Sequence, residues 1–266
     1  MFILLSVLSI LCYTAAALVL IRRLRNVDVS STSKTPALLL TIVALVLHAY
    51  ALSSTIIVPE GLNLGFSNVS SMSSWFVASL LLIAAINKPI ESLGVIILPV
   101  AAILLTAQIL MPSSHVLADE TRGLGIHILF SILAYSLLGL AAVQAMLLSV
   151  QEKHLHNRQP GGFIRALPPL ESMEILLFQM ITIGFTLQTM SLLSGFMYLE
   201  NMFAQHIAHK TILSAIAWLV FAILLFGRWR YGWRGRTAVR WTLSGFVTLM
   251  IAYFGSKYVI EVLLER

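Results

Sequence analysis

An all-α fold, a polytopic membrane bundle of about eight transmembrane helices with both termini outside, is predicted by three features of the 266-residue chain. Hydrophobic residues make up 59% and charged residues only 11%, against about a quarter charged in an ordinary soluble domain. Mean hydropathy is +0.92. Apolar runs recur along the whole sequence, each near the roughly 20 residues that cross about 30 Å of hydrocarbon.

The spans follow in order. The first, 2–21, lacks the cationic start of a signal peptide; Arg22, Arg23 and Arg25 come after it, so it reads as an uncleaved helix. The second, 36–57, carries LTIVALVLHAYAL with one histidine inside it, His48. The third, 72–87, is short, and the fourth is 92–111. The fifth, 125–150, opens on HILFSILAY, and the sixth is 173–198. Between them lies QEKHLHNRQPGGFIRALPPLESM, rich in proline, glycine and charge, long enough for a loop and too short for a domain. The seventh, 211–227, and the eighth, 241–260, flank a basic loop. No repeat or low-complexity tract interrupts the pattern, so residues 1–266 read as one transmembrane domain.

Charge orients the bundle. Loops 22–35, 88–91, 151–172 and 228–240 hold 13 of the 17 lysines and arginines; the other face holds Arg122, Lys210, Lys257 and Arg266. Cationic loops stay on the cytoplasmic side, which places both termini outside. The net charge of +6 therefore reports topology, and no nucleic-acid partner is expected. Cys12 is the only cysteine, so no disulfide, CxxC pair or CxxCH haem attachment forms within the chain. No Walker, HExxH or GxSxG arrangement is present.

The histidines are the chemical question. Imidazole is costly in hydrocarbon unless paired and is the commonest protein metal ligand. His48 lies nine residues before the outer end of its span, roughly 14 Å deep at about 1.5 Å per residue. His127 begins the fifth span on the outer side, and His206 and His209 precede the seventh in AQHIAHK. His48 and His127 thus differ in depth by more than about 10 Å, too far to share a metal whose ligands sit about 2 Å away. His127 with His206 or His209 fits a bis-histidine haem, and His127 alone fits a haem with an open position. The plainer readings stand beside these. An interfacial histidine snorkels or hydrogen-bonds, and a buried neutral His48 bonds Gln108, Gln144, Gln179 or Gln188. His115, His154 and His156 read as solvated. Glu91, Glu171 and Glu174 lie at the cytoplasmic rim, within reach of the loop arginines. Trp229, Trp233 and Trp241, interleaved with Arg228, Arg230, Arg234, Arg236 and Arg240, form an anchor at the headgroups.

HILFSILAY (127–135), and the run from Trp218 through GWRGR (232–236) and Gly245-Phe246 to AYFG (252–255), resemble the integral-membrane cytochrome c assembly family (CcsA, ResC and HemX-like proteins), nearest its short inner-membrane subgroup. GFSN at 65–68 adds a weaker echo. The resemblance implies a multi-pass protein of the bacterial plasma membrane that handles haem at the outer face, with haem b as cofactor. It also implies another membrane or periplasmic protein as partner. By position, His127 matches an outer haem-binding histidine of the family, and His48 resembles its buried one by depth and span.

The chain departs from the family in three places. ENMFAQHIAHK stands where the tryptophan-rich WWD segment belongs, Phe226 where a second buried histidine belongs, and Leu264 where a second outer one does. A complete haem-attachment synthetase is not expected. The leading expectation is a haem-binding relative using His127 with His206 or His209. The alternative is a non-haem accessory or regulatory subunit with structural histidines, and a small-solute or metal-ion transporter ranks third.

Overall fold

The computed structural model describes residues 2–25, 33–59, 61–88, 90–113, 116–117, 122–157, 167–198 and 205–255. Among them are eight helices: α1 (Phe2–Arg25), α2 (Thr35–Ile56), α3 (Phe66–Asn87), α4 (Gly94–Leu110), α5 (Arg122–His156), α6 (Leu170–Tyr198), α7 (Gln205–Tyr231) and α8 (Gly235–Met250). A 3₁₀ turn, Glu91–Leu93, leads into α4, and a π-helical turn, Ile251–Gly255, prolongs α8. The first seven are long and apolar enough to span a membrane. The eighth with its π turn covers most of the last expected span; the remainder of that span lies outside the described residues. The all-α membrane bundle is therefore the architecture observed. The third span begins earlier than its hydropathy indicates, because the serine-rich start SNVSSMSS is helical. The seventh likewise begins at Gln205.

Many of the fully buried positions are small, while large aliphatic side chains also line the outer surface. Ala16, Ala44, Ala78, Ala101, Ala141, Ala145 and Ala217 are fully buried, whereas Ile3, Leu4, Leu11, Val46, Ile103 and Leu193 are exposed. Lipid solvates large aliphatic side chains as well as a protein core does, so helices in a membrane associate through small residues that let backbones approach and through interhelical hydrogen bonds.

The chain forms two compact units, residues 1–119 with 153–169, and residues 120–152 with 170–266. In the first, α1, α2, α3 and α4 pack together. Its basic end is tied by Arg23 Nη1, which donates to Glu91 Oε1 at 2.7 Å, and by Lys34 Nζ, which donates to the Ala85 carbonyl at the end of α3 at 2.7 Å. Its other end carries a small antiparallel sheet, β1 (Ile57–Val58), β2 (Gly61–Asn63) and β3 (Val116–Leu117), with Ile57 opposite Leu62 and Leu62 opposite Leu117. At the same end GFSN closes on Ser113, three residues past the end of α4. The backbone N–H of Ser67 donates to Ser113 Oγ at 2.9 Å and that of Ser113 donates to Ser67 Oγ at 3.2 Å. Gly65 is required there, since a Cβ would overlap the Ser113 carbonyl.

The second unit is built from α5–α8. GWRGR makes its basic turn. Gly232, at φ +68°, ends α7: its N–H bonds the Arg228 carbonyl at 3.1 Å and the Trp233 N–H bonds that of Gly227 at 3.2 Å. The bond from the Gly232 N–H is that of an αL-type closure, whose left-handed residue favours glycine. Glu174 on α6 then fastens the start of α8. Oε1 accepts the Gly235 N–H at 2.6 Å and Oε2 accepts Arg234 Nε at 3.0 Å. The expected pairing of Glu91 and Glu174 with nearby arginines is thus present.

Candidate histidine sites

His48 sits in the first unit, fully buried on α2. Its Nδ1 lies 3.1 Å from Tyr13 Oη on α1 and its Nε2 2.9 Å from Ser71 Oγ on α3. The Tyr13 ring meets the imidazole edge-on, centroids 5.8 Å apart. The glutamines expected as partners are not the ones used. Gln108 instead donates to Asn68 Oδ1 at 2.8 Å and Thr55 Oγ1 at 3.0 Å, and Gln144 and Gln188 donate to the carbonyls of Met173 and Ser214. The reason is positional: Tyr13 and Ser71 lie on the buried faces of the flanking helices. Nearby, Ser9 Oγ donates to the Ala44 carbonyl at 2.8 Å and Trp75 Nε1 to that of Leu45 at 2.9 Å, so hydrogen bonds run along the same contact.

His127 sits in the second unit, half-buried near the start of α5. Its Nδ1 lies 2.8 Å from the Ser191 carbonyl on α6, with Ser194 Oγ at 3.3 Å. A carbonyl oxygen only accepts, so this contact puts the proton on Nδ1. In the neutral ring the lone pair then lies on Nε2, which no described residue hydrogen-bonds. Ser131, one turn along α5, bonds Ser191 Oγ at 2.7 Å and donates to the His127 carbonyl. Ser194 Oγ in turn donates to the Ser191 carbonyl at 2.9 Å.

Farther along the same face of α5, Tyr135 hydrogen-bonds Ser214 of α7, and its ring lies 5.5 Å from that of Tyr253 in the π turn. HILFSILAY and AYFG, far apart in sequence, thus meet through these two tyrosines. Lys210 Nζ stands 5.9 Å from the Tyr253 ring centroid. The serine partners on α6 were not anticipated; the signal for them is the polar SLLS at 191–194 within an otherwise apolar span.

His206 and His209 fall in the first turn of α7, with side chains outside the described set, and His115 lies outside the described residues. Phe226 is exposed, with the Trp229 and Tyr231 rings beside it. Among the described residues no group of three or more His, Cys, Asp or Glu gathers to hold a metal.

The described residues thus form a helical membrane bundle with one histidine fully buried between helices and another half-buried near a helix start. The Cytochrome C assembly protein family matches residues 36–264. "Inner membrane protein YpjD" of Escherichia coli is 35% identical over 227 residues, covering 84% of this chain and 86% of that one. "Cytochrome c biogenesis protein CcsA" of Prochlorococcus marinus subsp. pastoris is 26% identical over 202 residues, covering 66% of this chain and 62% of that one. No solved structure matches. The chain belongs to the cytochrome c assembly family and is a multi-pass inner-membrane protein.

Proposed function

We propose that this chain takes part in cytochrome c assembly as a haem-binding membrane protein, with His127 Nε2 as an axial ligand to haem b iron at the outer face. The observation that carries the reading is the Nδ1–H···O=C contact to Ser191. Histidines that ligate metals nearly always donate their other ring N–H to a carbonyl or carboxylate, which fixes the tautomer, orients the ring and raises the basicity of the ligating nitrogen. Ser131 and Ser194 hold that carbonyl and its residue in place. Bound haem would supply a redox-active iron accepting one or two axial nitrogen donors. His206 or His209, at the start of α7, is the second ligand proposed, and His127 alone with an open iron position is the simpler form of the same reading.

The test is an absorption spectrum of the purified, haem-supplemented protein, oxidised and reduced. A Soret band that His127→Ala removes or shifts supports the proposal. No Soret band, or one identical in His127→Ala, overturns it. The second reading, a non-haem accessory subunit, is favoured by the exposed Phe226 in the place of a family histidine. It predicts that histidine-to-alanine variants still rescue a deletion strain.

A further inference from the structure

We infer that the buried imidazole is closed to iron, and that Tyr13 and Ser71 are the residues that close it. A neutral imidazole has one N–H and one lone pair, and a metal needs the lone pair. At His48 both ring nitrogens already have a hydroxyl partner, Tyr13 Oη at 3.1 Å and Ser71 Oγ at 2.9 Å. Either hydroxyl donates or accepts, so whichever tautomer forms, one of them occupies the lone pair. All three residues are fully buried, so neither ring nitrogen is free for a metal.

Iron could reach His48 only by expelling a hydroxyl from an apolar interior, where the orphaned group costs free energy. Tyr13 adds a steric barrier as well, its ring edge-on against the imidazole. It comes from α1, which precedes the stretch of the chain matched by the family, residues 36–264. His48 thereby becomes a three-helix tie joining α1, α2 and α3, while His127, with one nitrogen committed and the other uncommitted, is the iron-competent position. Tyr13 and Ser71 determine which of the two histidines serves as ligand.

The inference rests on the haem reading only in its spectral arm. Full-length His48→Asn, Tyr13→Phe, Ser71→Ala and the Tyr13→Phe/His48→Asn double variant are purified and compared with the parent. Haem content and Soret position are expected to be unchanged in His48→Asn and in the double variant, which lack the imidazole, while Tyr13→Phe and Ser71→Ala are compared for stability. The thermal midpoint should fall by about 2–4 °C for each hydrogen bond lost. The double variant should lose clearly less than the two single losses combined, because partners in one hydrogen bond are coupled. A folded His48→Asn protein that has lost its haem band overturns the inference, as does strict additivity of Tyr13→Phe and His48→Asn. If His48→Asn fails to fold, His48→Gln decides the matter: a folded His48→Gln protein that has lost its haem band overturns the inference, and one that keeps it supports it. A parent without any haem band defeats the haem reading, and the coupling then still decides the tie.

Discussion

Two histidines in one chain differ in what touches each ring. His48 has a hydroxyl on both nitrogens, and His127 has a carbonyl on one. The carbonyl matters because it cannot donate, so it leaves the tautomer no choice. The adjoining hydroxyl, Ser194 Oγ at 3.3 Å from Nδ1, is secondary to it. Ser194→Ala is therefore expected to weaken haem retention by less than about tenfold, the lower edge of what losing an outer-shell partner costs. His127→Ala should abolish retention at the outer site. Haem titrations of the two variants check the ranking, and equal losses would show that the hydroxyl, not the carbonyl, orients the ring.

The turn between α7 and α8 shows how a sequence motif becomes geometry. GWRGR reads in the sequence as a cationic, aromatic headgroup anchor, and that reading accounts for its composition. It leaves unexplained the glycines: Gly232 closes α7 onto its own last turn, and Gly235 offers its N–H to Glu174, 61 residues away. Glu174→Ala strands that N–H and the Arg234 bond, and should lower stability by about 1–3 kcal/mol. Arg234→Ala should cost less than about 1 kcal/mol, because the guanidinium is 56% exposed and its pairing is screened. Thermal unfolding in detergent tests the order, and a larger loss for Arg234→Ala would contradict it. Other elements were legible to different degrees. The long apolar runs announce their helices, since length and hydropathy alone define a span. The start of α3 did not, because SNVSSMSS looks like a loop until its hydroxyls return to backbone carbonyls, as Ser70 does to Phe66 and Ser74 to Ser71. The partners of His48 were missed for a similar reason. Tyr13 and Ser71 are 35 and 23 residues away along the chain, and helix packing, which sequence periodicity does not encode, brings them together.

At the scale of the molecule, the uneven distribution of lysine and arginine predicts that both termini lie outside. The single cysteine makes this simple to examine, because Cys12→Ser gives a cysteine-free background. In that background, Leu62→Cys in β2 should react with an impermeant thiol reagent added to intact cells. Asn157→Cys, at the end of α5, should react only after the membrane is permeabilised. The reverse pattern would invert the topology and move His127 to the cytoplasmic side. The central claim, that His127 Nε2 ligates iron, is tested most directly by replacing its side chain with a free one. The haem-supplemented His127→Gly protein is titrated with imidazole while the Soret region is recorded. A weak or displaced band that imidazole returns to the parental position is expected. A His127→Gly spectrum identical to the parent before any imidazole is added would contradict it.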